Sequence, residues 1–328
     1  MKPPKMPKNL KNPKASRSPQ TPKLPTLPAI PADAHKYTRG SLLVTGGSAR
    51  FVGAPILAVW AAARTGAGYV TLAVPFSVVP VAQSHLLSIP VVGGLEKEGA
   101  FAADALQGIL SEVKHIDAVV LGPGMGATNE TQAFVGAVQA WAAEAKMPLV
   151  LDADALCSTL CDALLSAVRP TPTAASPAAA QPTTTQPTAA LPTAARSLET
   201  PKPILTPHAG ELARLLKATS CSTAEELAQK LGAVVVAKGP NTTITDGART
   251  EICTEGTPVL AKAGTGDVLS GIIGGLLAQG MEPFEAAWLG VVIHARVGIA
   301  AETSQGRRSV VAEDLLNEIS FALQVMSA

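Results

Sequence analysis

Seven short runs of apolar and β-branched residues recur along the chain, at 42–45, 69–74, 118–121, 149–152, 204–206, 233–237 and 242–245. Most are apolar at successive positions, as in Leu42-Leu43-Val44 and Val119-Val120-Leu121. That is the pattern of strands covered on both faces. Between them lie stretches with the spacing of helices, at 54–64, 131–145, 155–168, 210–217 and 224–231. After the last strand the pattern is helical throughout, over 267–279, 283–301 and 311–326. Strands alternating with helices predict an α/β fold with a mostly parallel central sheet and helices on both faces. In such sheets ligands bind beyond the carboxyl ends of the strands. The polar, glycine-rich turns at those ends are therefore where chemistry is expected.

Two segments do not fit the alternation. Nine of the 27 prolines fall within residues 1–34 and eight within 170–203. Proline removes a backbone donor and fixes φ, so neither segment can sustain a helix or a central strand. The first reads as a Lys/Pro-rich disordered tail. The second, rich in Ala, Pro and Thr, reads as a loop inserted into a domain that runs from 35 to 328. The tail carries a net charge of +6 over residues 1–33, and the whole chain only +1. Overall charge does not argue for a nucleic-acid or membrane partner; the basic tail could touch nucleic acid or an acidic partner, but it reads first as a solubilising extension. No apolar run reaches the roughly 20 residues needed to cross a bilayer; the best, 55–63, stops at Arg64. The amino terminus lacks the apolar core of a secretory signal. Four cysteines make no disulfide framework, and a cytoplasmic location is expected. With 47% hydrophobic residues a wholly disordered chain is excluded.

Five strand ends carry candidate chemistry. The first runs into Gly46-Gly47-Ser48, and Gly53-Ala54-Pro55 then opens a helix. The third ends in Gly122-Pro123-Gly124-Met125-Gly126, more glycine than a turn needs, which points to close approach of backbone to a ligand. The fourth delivers Asp152-Ala153-Asp154. Two carboxylates there can hold a metal or position a hydroxyl, or one of them can cap the next helix. The fifth ends in Thr206-Pro207-His208, and the sixth in Lys238-Gly239, where a lysine can reach a phosphate. The other histidines, His35, His85, His115 and His294, read as structural or surface groups. The sharpest signal is Ala263-Gly264-Thr265-Gly266-Asp267 at the start of an apolar helix. Backbone N–H groups at such a turn can nest an anion at the positive end of the helix dipole. Asp267 can cap that helix, or take a proton from a hydroxyl attacking a bound phosphate.

The Gly264-Thr265-Gly266-Asp267 segment is similar to the anion-hole and catalytic-base motif of the ribokinase-like superfamily. Within it, the chain resembles the ADP-dependent NAD(P)H-hydrate dehydratases. Nine pieces match in order: His35-Lys36-Tyr37-Thr38-Arg39-Gly40, Gly46-Gly47-Ser48, Gly53-Ala54-Pro55, Arg64-Thr65-Gly66-Ala67-Gly68, the turn at 122–126, Asp152-Ala153-Asp154-Ala155-Leu156, Leu205-Thr206-Pro207-His208-Ala209-Gly210-Glu211, Lys238-Gly239, and the segment at 264–267. The resemblance implies repair of hydrated NADH or NADPH. The C6 hydroxyl would be phosphorylated from ADP and then eliminated as phosphate, leaving AMP, with Mg²⁺ on the phosphates. It implies Asp267 as the base and Gly264, Thr265 and Gly266 as the anion hole. It places Ala54, Gly126, His208 and Asp267 against the hydrate, and Lys238, Gly239, Pro240, Asn241, Thr242 and Gly266 against the AMP part. The metal ligands are not indicated. By the same resemblance a homo-oligomer, a tetramer, is expected.

The chain departs from the family pattern at Cys157, where asparagine is frequent, at Ala209, where proline is, and at Gly256-Thr257-Pro258, a loose version of a tighter turn. Cys157 and Cys161 read as buried or idle thiols. The proline-rich tail cannot form the epimerase domain that accompanies some family members. A ribokinase-like kinase of a vitamin precursor is the alternative enzyme, and a non-catalytic nucleotide-binding protein acting through its tail a third reading.

Overall fold

The computed structural model describes residues 23–156 and 200–327. The first 22 residues, most of the helix expected at 155–168, most of the 170–203 segment, and Cys157 and Cys161 lie outside the described residues.

Strands β1 (Ser41–Thr45), β2 (Tyr69–Pro75), β3 (Val91–Gly94), β6 (Ala118–Leu121), β7 (Leu149–Leu151), β8 (Ile204–Leu205), β9 (Val234–Ala237), β10 (Thr242–Thr245) and β11 (Thr250–Cys253) form one nine-stranded sheet. Their order is β11-β10-β9-β8-β7-β6-β1-β2-β3. Every pairing from β9 to β3 is parallel; β10 runs antiparallel to both β9 and β11. A small hairpin of β4 (Glu96–Lys97) and β5 (Ala100–Phe101) stands apart.

The helices are α1 (Gly53–Thr65), α2 (Val79–His85), α3 (Ala105–Glu112), α4 (Asn129–Glu144), α5 (Ala209–Thr219), α6 (Ala224–Leu231), α7 (Thr265–Ala278), α8 (Pro283–Gln305) and α9 (Ala312–Ser327). The period of two in a strand divides them between two cores. Leu42, Val44, Val120, Val150, Ile204, Val234 and Val236 face the layer of α1, α2, α7, α8 and α9. Leu43, Val119, Leu121, Leu151, Leu205 and Val235 face the layer of α3, α4, α5 and α6. This is why the strand segments are apolar at successive positions.

Helix α7 is the element that positions the site. All but two of its residues are buried, and it lies between α1, α8 and the sheet. Its glycines permit that depth. A Cβ on Gly271 would stand 2.2 Å from the Ala58 carbonyl oxygen, and one on Gly274 2.3 Å from Val120 Cγ2. Helical glycine costs about 1 kcal/mol against alanine, which the close packing offsets.

The sequence reading missed β3, α2, α3, β11 and the hairpin. β3 is half glycine, and β11 alternates exposed and covered residues at the opposite edge of the sheet. The expectation that no apolar stretch is long enough for a bilayer is corrected by α8. It has 23 residues, and an 18-residue stretch of it with a mean hydropathy of 1.4 is long and apolar enough by length and composition, but most of that stretch is buried inside the fold.

Candidate active site

The turns after β1, β6 and β7 lock together through hydrogen bonds that each use a backbone group. The Gly47 N–H donates to the Pro123 carbonyl at 2.7 Å, and the Ser48 hydroxyl to the Gly124 carbonyl at 2.9 Å. Gly122 has φ 123°, and a Cβ there would lie 1.8 Å from the Asp152 carbonyl oxygen, so only glycine fits. Ala54, in the first turn of α1, lies against Gly124; a Cβ on that glycine would be 3.1 Å from the Ala54 methyl. Gly126, at φ 78° and with open space where a Cβ would be, donates its N–H to Asp154 Oδ2 at 2.8 Å. Asp154 is thereby tied to the glycine turn. Asp152 is not a side-chain cap of the short turn Ala153–Ala155; the helix expected after it lies mostly outside the described residues.

Asp152 is 2% exposed. Its Oδ1 accepts from the Lys238 ammonium at 3.0 Å and the Thr206 hydroxyl at 2.7 Å. Lys238 stands at the end of β9, where its N–H donates to the Pro207 carbonyl at 2.9 Å. A Cβ on Gly266 would be 3.3 Å from its Nζ, so the ammonium sits beside the first turn of α7. That turn begins at Gly264, in the left-handed region at φ 88°, with no side-chain cap. Asp267 is therefore not the cap. The Thr265 hydroxyl turns back to the Leu260 and Lys262 carbonyls, and its N–H to Lys262 at 3.4 Å. Burial, the charge of Asp152 and, to a lesser degree, that of Asp154 raise the Asp267 pKa to about 7, against the opposing pull of Lys238. A carboxyl poised near neutrality in a cleft suits a general base.

A cavity of about 660 Å³ opens beside this turn. Of the residues expected to hold nucleotide, Lys238, Gly239, Pro240, Thr242 and Gly266 line it, as do Thr265 and His208; Asn241 does not and is exposed. Ala54, Gly126, Gly264 and Asp267 are not part of its wall. His208 caps α5: its Nδ1 accepts the Gly210 and Glu211 N–H groups at 3.0 and 3.3 Å, and Glu211 accepts the His208 N–H in return.

Sequence reasoning missed the other wall. It comes from Cys253 through Lys262 and from α7 and α8, including Leu269, Val291 and His294. The one signal for it was the loose turn at Gly256-Thr257-Pro258. Two contacts fasten this run to α8: Arg296 Nε to Glu255 at 2.9 Å, and Thr257 to Glu302. His294 is more than the surface or purely structural group expected. It lines the cavity, burial holds its pKa down to about 4, and its Nε2 has no hydrogen-bond partner among the described residues.

Among the described residues no group of three or more His, Cys, Asp or Glu side chains is placed to hold a metal.

A parallel sheet flanked by helices, with a glycine turn opening a buried helix beside a cavity at the strand ends, is the ribokinase-like fold. The chain superposes with a TM-score of 0.69 on the Bacillus subtilis ADP/ATP-dependent NAD(P)H-hydrate dehydratase co-crystallised with ATP and Mg²⁺. That match has 26% identity and covers 92% of this chain and 95% of the other. The family model for NAD(P)H-hydrate dehydratase matches residues 42–173 and 189–320. The bifunctional NAD(P)H-hydrate repair enzyme Nnr of Moorella thermoacetica is 34% identical over 89% of the chain. The Salinibacter ruber enzyme of the same name is 35% identical over 88%. The chain spans about half the length of these relatives, 51% and 48%. The chain belongs to the NAD(P)H-hydrate dehydratase family.

Proposed function

We propose that the protein is a nucleotide-dependent dehydratase of NADH hydrate and NADPH hydrate, with ADP as the phosphoryl donor. Hydroxide is a poor leaving group and phosphate a far better one. In the proposed reaction Asp267 takes the proton of the C6 hydroxyl as its oxygen attacks the terminal phosphorus of ADP. The bond to AMP breaks, and AMP leaves. Phosphate then leaves C6, pushed by the ring nitrogen lone pair, a proton is lost from C5 to water, and the C5–C6 double bond of the reduced nicotinamide is restored. The observation that carries the reading is the position of Asp267. It stands at the first turn of α7, near Lys238, with its pKa raised to about 7.

The AMP part occupies the cavity against Lys238, Gly239, Pro240, Thr242 and Gly266, with Asn241 at its rim. The hydrate lies on the side of Ala54 and Gly126, with His208 between the two. The N–H groups of Gly264 and Gly266 steady the transferring phosphoryl group; that of Thr265, expected with them, is directed to the Lys262 carbonyl. Magnesium, held by the phosphates and water, supplies charge neutralisation. The enzyme is proposed to act in the cytoplasm as a homo-oligomer, without nucleic-acid or membrane partners. The family match is interrupted between 173 and 189, which supports reading 170–203 as an insertion.

The test is recovery of absorbance at 340 nm from NADH hydrate and from NADPH hydrate, with ADP–Mg²⁺ or ATP–Mg²⁺. Recovery that requires nucleotide and stops on chelation of magnesium is expected, with ADP the better donor. Absence of recovery with either nucleotide rejects the reading.

A further inference from the structure

The Lys238 ammonium is held from two ends. At its base the backbone is fixed, because β9 runs parallel to β8 and the Lys238 N–H donates to the Pro207 carbonyl. At its tip Asp152 takes Nζ at 3.0 Å. Asp152 is fixed in turn by Thr206, itself fully buried, whose hydroxyl donates to Oδ1 at 2.7 Å. A lysine carries its charge on a flexible four-carbon stem, so without such a tether Nζ would sample many positions. A buried carboxylate is costly unless it is paired and hydrogen-bonded. Here the pair lies at the strand ends, and its cation, on a partly exposed side chain that lines the cavity, sits beside the turn of α7.

We infer that Asp152, fixed by Thr206, is a positioning residue that holds the Lys238 ammonium beside Gly266, where the terminal phosphates of the nucleotide arrive. The inference rests on the proposed function, because it takes the anion at Gly266 to be a nucleoside di- or triphosphate. Asp152 touches neither substrate in this account; it acts through Lys238. Its charge has a second effect. Asp152, Asp154 and Lys238 are the charged groups that face Asp267, and Asp152 opposes ionisation of Asp267 while Lys238 favours it. One carboxylate therefore orders the phosphate-binding cation and biases the base.

The experiment is a double-mutant cycle read by calorimetric binding of ADP–Mg²⁺. Lys238→Met is expected to weaken binding, and Asp152→Asn to weaken it about tenfold, the scale of a coupled pair. Added to Lys238→Met, Asp152→Asn should change little more. Turnover by Asp152→Asn should show the loss in the nucleotide KM, with the hydrate KM nearly unchanged and the acid limb of the pH–rate profile moved to lower pH. Thr206→Val, which keeps both charges, should give the same pattern more weakly, and it serves if Asp152→Asn folds poorly. Equal losses in both lysine backgrounds, or equal losses for nucleotide and hydrate, would overturn the inference. So would wild-type nucleotide binding by Asp152→Asn and Thr206→Val when Lys238→Met binds weakly. If the unaltered enzyme binds neither ADP nor ATP, or Lys238→Met binds as well as it does, the proposed function or its Lys238 assignment has failed, and the inference falls with it.

Discussion

The two sides of the cleft are built by different means. On the side of Ala54 and Gly126, backbone makes the surface. Turns from three strands hydrogen-bond to one another, and Gly122 fits where no side chain could. On the side of the cavity, side chains make it. A run from Cys253 to Lys262 is laid over α7 and α8 and fastened by Arg296–Glu255 and Thr257–Glu302. Backbone surfaces tolerate almost no substitution but need few particular side chains. Side-chain surfaces tolerate change piece by piece. Asp267 is within electrostatic reach of Lys238 on the cavity side and of Asp154, which is tied to Gly126, on the other, and replacing it should have the largest effect of any change. Asp267→Asn should lower kcat by about 10³-fold, within the range for loss of a general base. Binding of ADP–Mg²⁺ by calorimetry should stay within a few-fold. Turnover near the wild-type rate would remove Asp267 from the chemistry.

The backbone-built side is next. Gly122→Ala puts a methyl 1.8 Å from the Asp152 carbonyl oxygen at a φ of 123°. It should cost about 3 kcal/mol or more in chemical denaturation, from overpacking together with backbone strain. Gly126→Ala, where nothing lies within 4 Å, meets only the positive φ of 78°. It should cost about 1–2 kcal/mol. Similar costs for the two would mean that close packing is not what requires glycine at 122.

The pH dependence follows from the burial of Asp267. With a pKa of about 7 the base is protonated in mild acid, so kcat should fall about tenfold per unit below that pH. Stability should move the opposite way. The folded carboxyl holds its proton up to about 7, whereas the unfolded one releases it near 3.9. The native state therefore binds more protons over that interval, and stability from this site falls as pH climbs through it and levels off above. Asp267→Asn should lose that slope and be the more stable protein at pH 8. A slope unchanged in the variant would place the proton on another group.

How much of this was legible in the sequence follows the same division. The central parallel strands were legible because successive apolar residues, as in Leu42-Leu43-Val44, serve two cores at once, and α1, α4, α5 and α6 were legible from their helical spacing. So were the glycine turns and Asp267, since a backbone-built site writes itself in consecutive residues. The far wall was not. His294 and Val291 lie in the middle of a buried helix, where their spacing reads as core. Only the fold brings them to the strand ends, and Glu255 and Arg296 meet across 41 residues of sequence. The Asp152–Lys238 contact, across 86 residues, was equally invisible, although each residue was singled out by its own strand end.

The smallest effect tests whether the side-chain wall depends on its fastening. Arg296 reaches Glu255 with Nε at 2.9 Å and with a second nitrogen at 3.4 Å. Both side chains are about one-third to one-half exposed. An ion pair in that setting is worth about 0–1 kcal/mol, because water competes for both partners. Glu255→Gln keeps the shape and most of the hydrogen-bonding capacity, so stability should fall by less than about 1 kcal/mol. The nucleotide KM should rise less than about threefold, and that rise should shrink as salt screens the lost pair. The hydrate KM should not move, because the wall borders the cavity alone. A larger rise, or one shared by the hydrate, would mean that this contact shapes both sides of the cleft, and the division between a backbone-built and a side-chain-built half would not hold.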